Sequence, residues 1–205
     1  MVRTIDSINA AVDELARREK AFAAVLERHG RPEPRVSDPG ATTLLRTIVG
    51  QQVSVAAARS MWAKLEAGYG SPPDLGKIRR ASDEDLRLAG LSRQKAGYAR
   101  SLADLVLSGE LDLDRLPADD EEAIAHLTRI KGIGRWSAEI YLLFAEGRTD
   151  VWPAGDLAVQ VEIGRLLGLD GKPTEKQLRE LAEAWRPHRG AVAVLALHSY
   201  NSEVI

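Results

Sequence analysis

A chain of 205 residues with 44% hydrophobic and 28% charged side chains has enough apolar material for a core, in one domain or two small lobes. It has no cysteine, which excludes disulfides, thiolate zinc sites, iron–sulfur clusters and a cysteine nucleophile. At a formal net charge of −2, contact with nucleic acid has to come from local cations, backbone amides or helix ends rather than from bulk charge. Met1 to Lys20 mixes acids and bases without an apolar run, so no signal peptide is expected. No apolar stretch is long enough to span a bilayer, and a cytoplasmic location is the expectation.

Ile8, Val12, Leu15, Phe22, Val25 and Leu26 recur at helical spacing and predict a helix, ended by His29-Gly30-Arg31-Pro32. Arg31 to Gly40, with Pro32, Pro34 and Pro39, reads as a linker. Leu44, Leu45, Ile48 and Val49 form a second apolar stripe, and Ser54 to Tyr69 a third helix that Gly70-Ser71-Pro72-Pro73 stops. Ser82 with Asp85 is a capping sequence ahead of Leu86 and Leu88, and Ser92 to Ser108 is a longer helix. After Pro117, the acids Asp119 to Glu122 suit the positive end of a helix expected to run to Ile130. Gly132-Ile133-Gly134 interrupts it, and a helix resumes through Phe144. Thr174 with Gln177 is a capping box, and the last helix is expected to start near Pro187. No segment sustains period-2 alternation, and no fixed-period repeat appears. The expected fold is all-α, built from about ten short helices.

The chemistry concentrates between Leu127 and Gln160. Two glycines around one apolar residue, set between helices, make a turn too tight for side chains. Its backbone N–H groups stand at the start of the next helix, where they can bind a phosphate; a plain packing corner uses the same residues. Downstream, Val151-Trp152-Pro153-Ala154-Gly155-Asp156-Leu157 places one aspartate after a Pro/Gly turn and ahead of an apolar helix. By itself such an aspartate is an N-cap. Gln51 and Gln52 read alone as an exposed polar pair, Arg93 and Lys95 as a solvated helix end, and Trp185 as a core aromatic.

In this order the segments resemble the helix-hairpin-helix (HhH-GPD) DNA glycosylase superfamily. Ile48-Val49-Gly50-Gln51-Gln52-Val53-Ser54 is similar to its I-x-x-Q-Q-x-S segment, Gly90-Leu91-Ser92-Arg93-Gln94-Lys95 to G-L-S-x-x-K, and Trp185-Arg186-Pro187-His188-Arg189 to W-x-P-x-R. With the hairpin and Asp156, the resemblance covers roughly residues 10 to 200. Gly-Arg-Trp-Ser-Ala after the hairpin, with Val-Trp-Pro, is similar to the alkylation-repair branch of AlkA type.

The resemblance implies two helical lobes with the active-site cleft between them: residues 37–139 with the hairpin, and 1–36 plus 140–205 with the aspartate. It makes Asp156 the catalytic carboxylate, stabilising an oxocarbenium-like sugar and orienting the attacking water. Gln52 takes the position that fills the gap left by a flipped nucleotide, with Gln51 beside it. Ser92, Arg93, Lys95, Lys131, Gly132, Ile133, Gly134 and Arg135 are the expected DNA contacts. Trp136 and Trp152 flank the expected pocket, where aromatic faces would attract a cationic methylated base. Ile140 and Leu197 stand where relatives carry a tyrosine and a tryptophan, so that pocket is less aromatic. Lyase members place a lysine two residues after the second hairpin glycine; here that residue is Trp136, which implies a monofunctional enzyme.

No cofactor is required. The family hairpin often holds Na+ or K+ through backbone carbonyls, here those of Ile130 and Ile133. The expected partner is double-stranded DNA holding a damaged base, with no membrane, and the expected state is a monomer. Two alternatives stay open: a glycosylase for oxidised, deaminated or mispaired bases, against which the missing cysteines argue, and a non-catalytic DNA-binding protein that keeps the hairpin.

Overall fold

The computed structural model describes residues 5–33 and 37–204; residues 34–36 of the expected linker lie outside the described residues. Every regular element among the described residues is helical, as the periodicity predicts. There are twelve α-helices among them, somewhat more than expected, because short helices occupy segments read as connections.

The first difference is in the N-terminal helix, which is two: α1 (Ile5–Arg18) and α2 (Lys20–His29), separated by Glu19 in an extended conformation. No glycine or proline marks the break. Its cause is the gap in the stripe between Leu15 and Phe22, where a continuous helix would carry Arg18 and Glu19 onto the apolar face. Breaking at Glu19 leaves Arg18 exposed and lets Val12, Leu15, Phe22 and Val25 all enter the core.

The chain divides into two compact units, residues 38–141 and residues 1–37 with 142–205. In the first, α3 (Ala41–Gly50) packs on α4 (Val55–Tyr69) and on α7 (Arg93–Leu107). Helix α7 also receives α5 (Leu75–Arg80) and α6 (Asp83–Leu88). Its buried positions are Ala96, Ala99, Leu102 and Ala103, small enough for neighbouring helices to approach closely. Ser82 and Asp85 form the expected capping box on α6. Helix α8 (Asp120–Leu127), capped by Asp119, stops short of the expected Ile130, and the hairpin starts at Thr128.

Helix α9 (Arg135–Phe144) follows the hairpin. In the second unit, α10 (Leu157–Leu166) packs on α12 (Arg189–Val204), as do α1 and α2. Between them lie α11 (Glu175–Ala182), with the expected Thr174–Gln177 capping box, and a 3-10 turn at Glu183–Trp185. Ala191 to Ala196 are all buried, so the first half of α12 is apolar all round and forms the axis of this unit. Each leucine, isoleucine or phenylalanine fully buried here contributes about 1.5–3 kcal/mol. The same core buries Glu162, whose charge is met by a two-point ion pair with Arg165 at 2.6 and 3.0 Å. Among the described residues no helix is long and apolar enough to cross a membrane.

Candidate DNA-binding hairpin and catalytic carboxylate

The hairpin of the first unit is anchored by its own apolar residues. Ile130 and Ile133 are buried, and the Ile133 N–H donates to the Ile130 carbonyl at 3.0 Å, closing the turn. Gly132 has φ +85°, and a Cβ there would meet the Tyr98 ring at 2.1 Å. The glycine is therefore required twice, by its left-handed backbone and by an aromatic wall. That wall is one face of α7. Gln94 donates to the Tyr98 hydroxyl, and the Ser101 hydroxyl accepts from the Lys131 N–H at 3.1 Å. Residues 94, 98 and 101 share the i, i+4, i+7 spacing of one helix face, a signal by which they could have been chosen from sequence.

A second element meets the hairpin. Gln51 follows α3 and donates its side-chain amide to the Gly132 carbonyl at 2.7 Å. Gln52, next in the chain, is exposed at φ +54°, the one described non-glycine residue with positive φ. Such a conformation is costly and clusters at ligand-contacting sites. Gln51 thus ties the loop down while Gln52 points its tip at solvent.

The expected DNA contacts separate into different roles. Arg93 and Lys131 are exposed, at the start of α7 and on the hairpin. Ser92 is the N-cap of α7 and accepts from the Lys95 N–H. The Lys95 ammonium is half-buried and donates to the Val49 carbonyl at 2.7 Å, and burial lowers its pKa. This bond ties α7 to α3 and uses one of the three ammonium donors, so Lys95 has a structural role beside the phosphate contact expected of it. Arg135 is paired more fully. Its guanidinium makes a two-point contact with Glu121 and a further bond to Glu139 at 2.9 Å. The hydrogen bonds with Glu121 hold it still more firmly protonated than an ordinary arginine. Glu139 is 1% exposed, so Arg135 neutralises a buried carboxylate and is not a spare charge for phosphate. Gly134 and Arg135 still offer backbone N–H groups at the mouth of α9.

Trp136, in the first turn of α9, is 48% exposed, which leaves much of an aromatic face open to solvent. Ile140, one turn further, is half-buried. The carbonyl of Ile130 accepts from Ile133, yet a carbonyl oxygen carries a second lone pair, so the turn is compatible with a monovalent ion.

In the other unit, Asp156 is half-buried and is the N-cap of α10, accepting from the Val159 N–H at 3.1 Å. The helix dipole favours a negative charge at this place. The run before it, Val151 to Ala154, is buried although it is not helical. Trp152 belongs to this core: it is 3% exposed, and its ring meets that of Trp185 edge-on at 5.6 Å. Trp152, expected to flank the pocket, is thus packed into the core with little of its ring open to solvent. Trp185 is a core aromatic, as its sequence context suggested. Leu197 is partly buried against the same core.

The profile of the HhH-GPD superfamily of base excision DNA repair proteins matches residues 45–187, which span α3 to the turn before α12. This chain belongs to that superfamily. It is similar to DNA-3-methyladenine glycosylase 1 of Schizosaccharomyces pombe, with 33% identity over 156 residues, covering 73% of this chain and 68% of that one. The crystal structure of a DNA-3-methyladenine glycosidase from Bacillus halodurans superposes with TM-score 0.85 and 30% identity, covering 95% of this chain and 90% of that one. The S. pombe 3-methyladenine DNA glycosylase Mag1, in complex with abasic DNA, superposes with TM-score 0.79 and 27% identity over 96% of this chain and 97% of that one.

Proposed function

We infer that this protein is a DNA glycosylase of base excision repair that removes alkylated bases of the 3-methyladenine and 7-methylguanine type. The observation that carries the reading is the near full-length likeness to a DNA-3-methyladenine glycosidase, with 95% and 90% of the two chains matched. The hairpin and Asp156 supply the chemistry it needs.

Backbone amides at Gly134 and Arg135, with Arg93 and Lys131, hold phosphates of duplex DNA. Monovalent Na+ or K+ on the carbonyls of Ile130 and Ile133 would add positive charge there. Taking a nucleotide out of the stack costs a few kcal/mol, and Gln52 fills the gap while its amide satisfies the orphaned partner base. Trp136 offers its ring to the cationic base. Such a base leaves as a neutral molecule when the bond from its nitrogen to C1′ breaks, taking the electron pair, so no general acid is required. The sugar becomes cationic, and Asp156 stabilises that charge. Water then bonds to C1′ and gives up its proton towards Asp156, leaving an abasic site. With Trp136 at the lyase lysine position, no amine attacks C1′ and the backbone stays intact.

The test is release of free 3-methyladenine and 7-methylguanine from methylated duplex DNA, measured with abasic-site formation. Release that disappears in Asp156→Asn supports the reading. Tight DNA binding with no base released would make this a non-catalytic hairpin protein.

A further inference from the structure

The W-x-P-x-R segment at the head of α12 has no part in the chemistry above, yet both of its ends hold the segment that leads to Asp156. The Asp150 carboxylate accepts from the Arg189 backbone N–H at 3.2 Å, from Arg189 Nε at 3.0 Å and Nη2 at 3.0 Å, and from Arg186 Nη1 at 2.8 Å. The Asp150 and Arg189 side chains are only 18% and 14% exposed. Next in the chain, the Gly190 N–H donates to the Thr149 carbonyl at 2.7 Å. A Cβ at Gly190 would meet that oxygen at 2.8 Å and the Arg148 carbonyl at 2.9 Å. At the other end of the segment, Trp185 packs on Trp152.

The far side is fixed as well. Gln160, on the helix that Asp156 caps, donates to the Ala154 carbonyl at 2.7 Å and accepts from Lys172 Nζ at 2.8 Å. The Asp156 N–H donates to the Pro153 carbonyl at 2.9 Å. A buried run without helical hydrogen bonds has its course set by ties of this kind.

We propose that Arg189 is a positioning residue for Asp156: through Asp150 it fixes the segment 149–156 on which the carboxylate stands. The proposal rests on reading Asp156 as the catalytic group. Arginine is needed because its planar fork meets both oxygens of one carboxylate, whereas a lysine ammonium is a single point of charge. A catalytic group displaced by about 1 Å can lose on the order of a hundredfold in rate, so a loosened segment should be visible in the chemical step.

The experiment uses the full chain with enzyme in excess over a duplex holding 7-methylguanine, measuring excision rate, DNA Kd, melting temperature and hydrogen exchange over 149–160. Arg189→Lys should slow excision roughly ten- to hundredfold. Its Kd should stay within about twofold of the original, and exchange should quicken in 149–160. A wild-type rate in the folded variant, or unchanged exchange in that segment, overturns the proposal. Should Arg189→Lys fail to fold, Arg186→Gln decides, because Arg186 is half-exposed and gives Asp150 one donor only, its other bonds going to exposed Glu183. A severalfold loss at constant Kd supports positioning, and a wild-type rate refutes it. Full excision by Asp156→Asn would remove the reading beneath the proposal. A wild-type Arg189→Lys beside an inert Asp156→Asn removes the proposal alone.

Discussion

The Gln51 side-chain amide donates to the Gly132 carbonyl at 2.7 Å across 81 positions of the chain. This bond joins the loop that carries Gln52 to the hairpin; in the proposed function it therefore couples the element that holds phosphate to the residue that enters the duplex. Its loss should leave both elements formed but uncoupled. We expect Gln51→Ala to weaken binding to damaged duplex while single-stranded substrate is processed with little change, a comparison that excision assays on the two substrates provide.

Asp156→Asn should abolish excision, by about a hundredfold or more, and leave DNA affinity nearly unchanged. The structure makes this substitution a clean probe. Asp156 caps α10, and asparagine caps a helix about as well, so folding is retained while the charge is lost. Asp156→Ala removes the cap too and should lower stability by about 0.5–2 kcal/mol. Near-normal turnover by Asp156→Asn would take the residue out of the mechanism.

The two hairpin glycines should differ. Gly132→Ala puts a Cβ into the Tyr98 ring at positive φ, so melting temperature and DNA affinity should both fall, with about 1–3 kcal/mol from the backbone conformation alone. At Gly134 an added Cβ meets nothing within 4 Å. Gly134→Ala should therefore fold as well as the parent and lose affinity only through hindered approach of a phosphate. Equal melting losses in the two variants would contradict this packing.

Binding should depend on salt but not on sequence. Arg93→Ala and Lys131→Ala should each lower the slope of log K against log salt by roughly one unit. Arg135→Ala should leave the slope almost unchanged and lower stability instead, since it removes a charged partner of buried Glu139 and the two-point contact with Glu121. A slope that fell as much for Arg135 as for Lys131 would show that the carboxylate clasp opens on DNA.

Borohydride should trap no efficient protein–DNA adduct. Trp136 holds the lyase position, and indole nitrogen is neither basic nor usefully nucleophilic. Lys131 is exposed on the hairpin and does not stand at the position where lyase members carry their lysine. An adduct that vanishes in Lys131→Ala would establish a lyase.

Most of the helices and several of their ends were legible in the chain, because their signals lie within a few residues of one another. Ser82 with Asp85, and Thr174 with Gln177, form capping boxes in the fold as their spacing foretold. Asp156 was legible both as a cap and, through the ordered motifs around it, as the candidate carboxylate. Partners decided the rest. The i,i+4 spacing of Arg135 and Glu139 is a local signal, but nothing beside Arg135 announces Glu121, and nothing beside Lys95 points to the Val49 carbonyl. Nothing near Trp152 shows that Trp185, far along the chain, will meet its ring. Periodicity and capping are short-range, so sequence alone determines them. Whether a charge is free, or a ring exposed, depends on which distant groups the fold brings within bonding distance, and only the tertiary structure decides that.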